Sequence, residues 1–388
     1  MRRVAVIAGG MCKWGVRKAS LRDMIAEAGK ECFDDCAGLT PKDVDGLLFS
    51  SAFAEKNQFQ THGAPLAAEL LGIKPTNLIG KVELLCGSGT AAIHLAYTHI
   101  ACGCSDVVMV IGADKLYLPD KRETYWNIQA ACDRDFDCIH GLGVPPPLFA
   151  MIAKKHMKQY GTTEEQMAMV AVKSHRNASK NKFAHLQNIV TMDEVMQSKR
   201  IVPPLKLYDC CPVTDGAAAV VLACEERAKE FYKNPVYILG IGQASTHKNS
   251  ANMPSFTTWE HIKIAVPKAY ERAGVKPEDI DVAEVHDCFT ISEIIEYEDL
   301  GFCEKGEGGK FIERGLADFG GKVVVNPSGG LLSCGHPFGA QGERQAGELF
   351  YQLRGDAVNQ VEGAKIALQH TMSGFCSDSS ITIYGRES

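Results

Sequence analysis

Apolar positions recur along the chain in two alternating rhythms. Val4 to Ala8 is a short apolar run of strand length, and Ser20 to Cys36 carries apolar side chains at the three-and-four spacing of a helix, stopping at Ala37-Gly38. The turn Leu39-Thr40-Pro41-Lys42-Asp43-Val44-Asp45 then leads into the apolar Gly46 to Phe49. The same succession returns in the second half, as a strand from Val236 to Gly240, a helix from Ile262 to Arg272, a turn from Ala273 to Asp281, and a strand from Val282 to Val285. Ala37, Gly38, Pro41, Asp43 and Asp45 recur at an offset of 236 as Ala273, Gly274, Pro277, Asp279 and Asp281. A second correspondence follows. Cys86-Gly87-Ser88-Gly89 opens a helical stretch, Thr90 to Ala101, before the strand Val107 to Ile111; Gly339-Ala340-Gln341-Gly342 opens Glu343 to Leu353 before Lys365 to Leu368. The chain therefore reads as a duplicated α/β protein with mainly parallel sheets covered by helices.

Between the halves, Pro119 to Pro204 is polar and mostly helical, with a break expected at Pro145-Pro146-Pro147. It reads as an insertion on the first half. Its basic residues Lys173, His175, Arg176, Lys180 and Lys182 form either a solvated face or a landing site for an anionic ligand.

Composition narrows the class. With 388 residues, 45% of them hydrophobic and 23% charged, the chain can bury a large core, which excludes disordered and fibrous classes. A net charge of −6 leaves no basic excess for a nucleic-acid backbone. Apolar stretches such as Ala217 to Cys224 fall short of the ~20 residues that span a bilayer, and the apolar part of Met1 to Gly10 is too short for a secretory leader. The expectation is a cytoplasmic protein that engages neither nucleic acid nor membrane. Fifteen cysteines, an odd number without any Cys-x-x-Cys spacing, read as reduced thiols, with no metal site expected.

Three places carry candidate chemistry. Cys86 sits where a Gly-rich turn feeds a helix, whose positive end lowers a thiol pKa, though by under one unit, so a basic partner is still needed. The loop from Asn326 to Gly342 holds His336 between Gly335 and Pro337, an imidazole suited to activate that thiol. Glu284-Val285-His286-Asp287-Cys288-Phe289 places ionisable groups and a second thiol just after a repeated strand, fit for acid/base or oxyanion work. In an extended segment His286 and Cys288 would project to the same side. Gly240-Ile241-Gly242-Gln243-Ala244-Ser245 lacks the third glycine of a dinucleotide fingerprint, and Gly306 to Phe311 lacks P-loop spacing.

These residues resemble a known family. Asn326 to Gly342 is similar to the Asn-x-x-Gly-Gly…Gly-His-Pro-x-Gly-Ala-x-Gly signature of thiolases, Cys86-Gly-Ser-Gly to their nucleophile loop, and Asp215-Gly216-Ala217-Ala218-Ala219 to their Asp-Gly-Ala-Ala segment. His286-Asp287-Cys288-Phe289 resembles the sterol-carrier-protein-type and archaeal branch. The resemblance implies the thiolase fold: two βαβαβαββ halves in a five-layer α-β-α-β-α sandwich, with 1–118 and 205–230 as the first half, 119–204 as a loop domain and 231–388 as the second half. It implies a dimeric core, coenzyme A as cosubstrate without a permanently bound cofactor, and a small zinc-ribbon/OB-fold partner subunit. The implied reaction is ping-pong cleavage of a 3-oxoacyl-CoA, with benzoylsuccinyl-CoA and acetoacetyl-CoA as candidate substrates. Cys86 would be acylated with assistance from His336, His286 and His336 would hold the enolate oxygen, and backbone N–H groups near Cys86 and Gly374 would hold the acyl oxyanion. One departure stands out. The second catalytic cysteine of classical thiolases falls here at Gly374, so the acid/base thiol is expected to be Cys288 rather than Cys376. A condensing enzyme of the same superfamily and a silent scaffold subunit are the alternatives.

Overall fold

The structure, a computed structural model, describes residues 1–386. Positions 387 and 388, the end of the expected second half, lie outside the described residues.

The first half runs β1 (Val4–Met11), α1 (Leu21–Asp35), β2 (Gly46–Ser50), α2 (Gly63–Leu71), β3 (Leu78–Val82), α3 (Ser88–Ala101), β4 (Val107–Asp114) and, after the insertion, β5 (Gly216–Cys224). The second half runs β6 (Val236–Ser245), α6 (Glu260–Ala273), β7 (Val282–Glu284), α7 (Thr290–Asp299), β8 (Val324–Val325), α8 (Gln341–Arg354), β9 (Ile366–Ser373) and β10 (Asp378–Arg386). The insertion contributes α4 (Pro145–Tyr160) and α5 (Glu164–Ala178). Ser20 caps α1 in a reciprocal capping box with Asp23, and Leu21, Met24, Ile25, Ala28 and Cys32 place its apolar stripe inside. The helix ends at Asp35, before the predicted stop, while in the second half Gly274 closes α6 with φ +68°.

Strands of the two halves take the same order. The main sheet runs β8-β7-β9-β10-β6-β1-β5-β4-β2-β3, so each half, read from its outer edge, follows the sequence third, second, fourth, fifth, first. The duplication is thus topological as well as sequential. The sheet is mixed, not mainly parallel: β3, β2 and β4 are parallel, as are β8, β7 and β9, but β5 and β10 join antiparallel and β1 pairs antiparallel with β6. The physical reason is in the connections, since β9 and β10 are joined by a turn too short for a crossover.

Side-chain alternation sorts the strands into layers. Val4 and Val6 of β1, with Val108 and Val110 of β4, face α3 and α8, whereas Ala5, Ile7, Val107 and Met109 face α1 and α2. In the second half Val282 and Ala367 face the same central helices, and Ala283 and Leu368 face α6 and α7. The result is α1/α2, half-sheet, α3/α8, half-sheet, α6/α7, the expected five layers. At the centre α3 and α8 cross at their N-termini, where a Cβ on Gly342 would stand 2.2 Å from the Thr90 nitrogen, and one on Gly89 would stand 2.9 Å from the Gly342 nitrogen. These glycines are required for close approach.

Two expectations for the insertion change. Pro145-Pro146-Pro147 does not break the chain's helicity but forms the first turn of α4, where missing N–H groups cost no hydrogen bond. The basic run is neither one face nor one landing site: Lys173 is buried, paired with Glu293 at 2.5 Å and donating to the Val325 carbonyl, while Arg176 pairs with Asp318 at the surface. Among the described residues no helix is long and apolar enough to cross a membrane.

Candidate active site

Cys86 lies on a short turn, Leu85–Gly87, between β3 and α3. Ser88 fastens that turn, its hydroxyl accepting from the Leu84 N–H at 2.8 Å and donating to the Leu85 carbonyl at 2.6 Å. Leu85 is held at φ +45°, a left-handed conformation unusual for a branched residue and typical of functional turns. His336 arrives from the second half on the loop before α8. Two buried acidic side chains pin that loop: Asp114 of β4 accepts from the Gly339 N–H at 2.6 Å as well as from Ser51 and Phe53, and Asp287 accepts from the Leu331 N–H at 2.6 Å. Asn326 joins the loop to the end of β7, accepting from the Val285 N–H at 2.8 Å and donating to Glu293 at 2.7 Å. The Asp-Gly-Ala-Ala segment is structural here, Asp215 accepting from the Arg17 and Tyr117 N–H groups and pairing with Lys115.

These anchors bring Cys86, His286 and His336 together, with their ligating atoms all within 4.8 Å of one another. The two imidazoles meet edge to face at 4.9 Å between centroids. Around them lies a cavity of about 540 Å³, whose wall also includes Cys288, Gly374, Phe149, Phe289 and Phe338. Cys376 is not part of that wall; it is fully buried, with φ +56°. His286 and Cys288 do share the cavity, but by a tight turn rather than an extended segment, since the Cys288 N–H donates to the His286 carbonyl at 2.8 Å. Gly374, at φ +61°, sits in the turn between β9 and β10.

The site is neutral. Burial pushes the Cys86 thiol well up, with Cys211 and Asp378 adding to the shift, and so outweighs the lowering expected from the helix end. Burial, then Arg344, brings His336 down to about 3; burial, then His336, drives His286 well below its ordinary value. Cys288 is likewise pushed up by burial. His286 Nδ1 and His336 Nε2 are buried without a protein partner. Unpaired buried nitrogens around a thiol suit a ligand oxygen arriving between them. The same three donors have the chemistry to hold a thiophilic cation, a grouping that chain spacing could not reveal.

One residue escaped the sequence reading. Cys211 lines the cavity and its Sγ lies 3.5 Å from His336 Nδ1. Its only signal in the chain was adjacency to Cys210, a few residues before Asp215.

A duplicated five-layer fold with a cysteine and two histidines meeting between its halves defines an acyl-transfer enzyme of the thiolase class. Residues 4–226 match the thiolase N-terminal domain and 242–386 the thiolase C-terminal domain-like family. The chain belongs to the thiolase family and is an acyltransferase. It is 40% identical to an acetyl-CoA acetyltransferase of Methanothermobacter thermautotrophicus over 388 residues, covering 100% of both chains. It is 38% identical to the benzoylsuccinyl-CoA thiolase subunit BbsB of Thauera aromatica, over 76% of each chain. Among solved structures, the Ltp2-ChsH2(DUF35) aldolase superposes with a TM-score of 0.84 at 27% identity, covering 99% of this chain and 97% of that one.

Proposed function

We propose that the protein is the catalytic subunit of a CoA-dependent thiolase that cleaves a 3-oxoacyl-CoA by way of an acyl-cysteine. The observation that carries this reading is the meeting of Cys86 with His286 and His336 in one cavity. Cys86 attacks the 3-oxo carbon while His336 takes its proton, and the C2–C3 bond then breaks with its electron pair passing to the enolate. His286 and His336 hold the enolate oxygen, and N–H groups near Cys86 and Gly374 hold the acyl oxygen. Cys288 gives the enolate carbon its proton and later takes one from the incoming CoA thiol, leaving a shortened acyl-CoA and a second CoA thioester.

The cavity wall favours a bulky acyl group over acetyl. Phe149 and Phe289 stack at 4.2 Å beside Phe338 and Tyr125, an aromatic lining suited to an aryl group, so benzoylsuccinyl-CoA is placed ahead of acetoacetyl-CoA. Similarity to BbsB supports the same order. The small partner subunit expected from the family branch is supported by the two-component name of the Ltp2-ChsH2(DUF35) aldolase. Residues 119–204 are taken as the loop domain roofing the cavity, between halves at 1–118 with 205–230 and at 231–388, in a dimeric, cytoplasmic enzyme.

The test is CoA-dependent loss of 3-oxoacyl-CoA absorbance, with peptide mass spectrometry locating the acyl group. Acylation at Cys86 and its loss in Cys86→Ala are expected. Acyl transfer without CoA-dependent cleavage would make the protein a condensing enzyme, and no turnover with any partner a scaffold.

A further inference from the structure

Beyond the residues already given roles, the wall of the active-site cavity includes the thiol of Cys211, which touches His336. Cys211 comes from the strand-like segment before β5, far in sequence from the other groups, and is only partly exposed. Two backbone links fix its place: its N–H donates to the Cys288 carbonyl at 3.0 Å, and Val213 bridges in parallel with His336. Its Sγ lies 3.5 Å from His336 Nδ1, within the range of a thiol hydrogen bond. The other ring nitrogen, Nε2, is buried without a protein partner. With Nδ1 engaged by Cys211, Nε2 is the nitrogen left for Cys86.

We propose that Cys211 is a positioning residue for His336, its sulfur fixing the orientation of the ring so that Nε2 faces Cys86. The inference rests on the reading of Cys86 as the acylated nucleophile. Activated nucleophiles generally need a base that is itself oriented by a third group on its far nitrogen. A buried carboxylate in that place also stabilises the imidazolium. Cys211 cannot, because burial pushes its thiol up to about 12 and leaves it neutral. Burial, with the Arg344 charge adding to it, makes the ring a weak base. Cys86 therefore stays a thiol until its sulfur bonds to the 3-oxo carbon, when its proton passes to Nε2 of the ring in its Nδ1–H form; the contact between Nδ1 and the Cys211 sulfur stays in place, and Cys211 gains and loses no proton. The arrangement avoids a standing thiolate, which would be open to oxidation and alkylation between turnovers.

The experiment compares Cys211→Ala and Cys211→Ser in the full chain, with its partner subunit present where one is needed. Two rates are read: acylation of Cys86 by acyl-CoA, and alkylation of Cys86 by iodoacetamide from pH 6 to 10, each located by peptide mass spectrometry. Losing a hydrogen bond of ordinary strength is about a tenfold effect. Cys211→Ala is expected to acylate about tenfold more slowly, with KM for acyl-CoA within about twofold of the native value, and to show an altered alkylation profile. Cys211→Ser, which keeps a donor and acceptor on Nδ1, is expected to remain within about threefold of native. Native rate and profile in Cys211→Ala overturn the proposal. Equal impairment of Ser and Ala variants also overturns it, since that pattern belongs to lost packing. If the native protein acylates a residue other than Cys86, the nucleophile assignment falls instead, and the Cys86 alkylation profiles still report whether Cys211 acts on His336.

Discussion

At the scale of single residues, the choice of acid/base thiol turns on access. Cys288 faces the cavity beside His286, with its Sγ 3.7 Å from the Ser292 hydroxyl, whereas Cys376 is fully buried in the turn between β9 and β10 and does not line the cavity. A general acid/base contributes about 10²–10⁴-fold to rate. Cys288→Ala is therefore expected to lose at least about a hundredfold in thiolysis while still forming the Cys86 acyl-enzyme from a simple acyl-CoA, and Cys376→Ala to remain near native. Steady-state thiolysis together with acyl-enzyme mass spectrometry checks both. A crippled Cys376→Ala beside a normal Cys288→Ala would transfer the role.

At the scale of elements, the crossing of α3 and α8 couples the two loops that carry Cys86 and His336. Any side chain at Gly342 meets the backbone of Thr90, which cannot rotate away. Gly342→Ala is expected to destabilise the protein by about 1–3 kcal/mol through overpacking and to slow Cys86 acylation by displacing the two loops. Gly347, further along the same helix, behaves oppositely: a Cβ there has no neighbour closer than 3.9 Å. Gly347→Ala is expected to stabilise by about 0.5–1 kcal/mol by removing a helix-interior glycine. Urea unfolding of the two variants separates the cases, and equal effects would contradict the crossing geometry.

At the scale of the whole molecule, buried ionisable groups set the pH window of stability. Burial holds His336 and His261 at about 3 and His94 at about 4, below the ordinary 6.5, so their contribution is present above 6.5 and lost as pH falls towards those values. Burial holds Glu343 and Asp287 at about 8, above ordinary carboxyls, so their contribution is present at low pH and lost as pH rises through 8. From about pH 4 to 6.5 the two sets oppose each other; above 6.5 the carboxyls act without the histidines. The urea midpoint is expected to fall from pH 6.5 to 8.5, and less steeply in Glu343→Gln. A rise over that range would contradict the burial of these carboxyls as neutral acids. The proposed heteromer is tested at this scale too: the purified single chain is expected to be poorly active in thiolysis and to gain activity with a small partner subunit, and full activity of the chain alone would remove the need for one.

Much of this was readable in the chain. The offset repeat from Ala37 to Asp45 marked two copies of one unit, because each copy turns the chain from its first helix into its second strand with the same residues, and the Gly-rich runs at Cys86 and His336 marked where backbones approach closely. Local rules reach that far, since caps, turns and periodicity act over a few residues. They do not reach across elements. Parallel or antiparallel pairing of β5 and β10, the burial of Lys173 against Glu293 and the direction of the Cys86 shift all depend on what packs opposite, from segments far along the chain. Cys211 is the clearest case: nothing near it in sequence points to His336, and the backbone links to Cys288 and, through Val213, to His336 carry its sulfur to the ring.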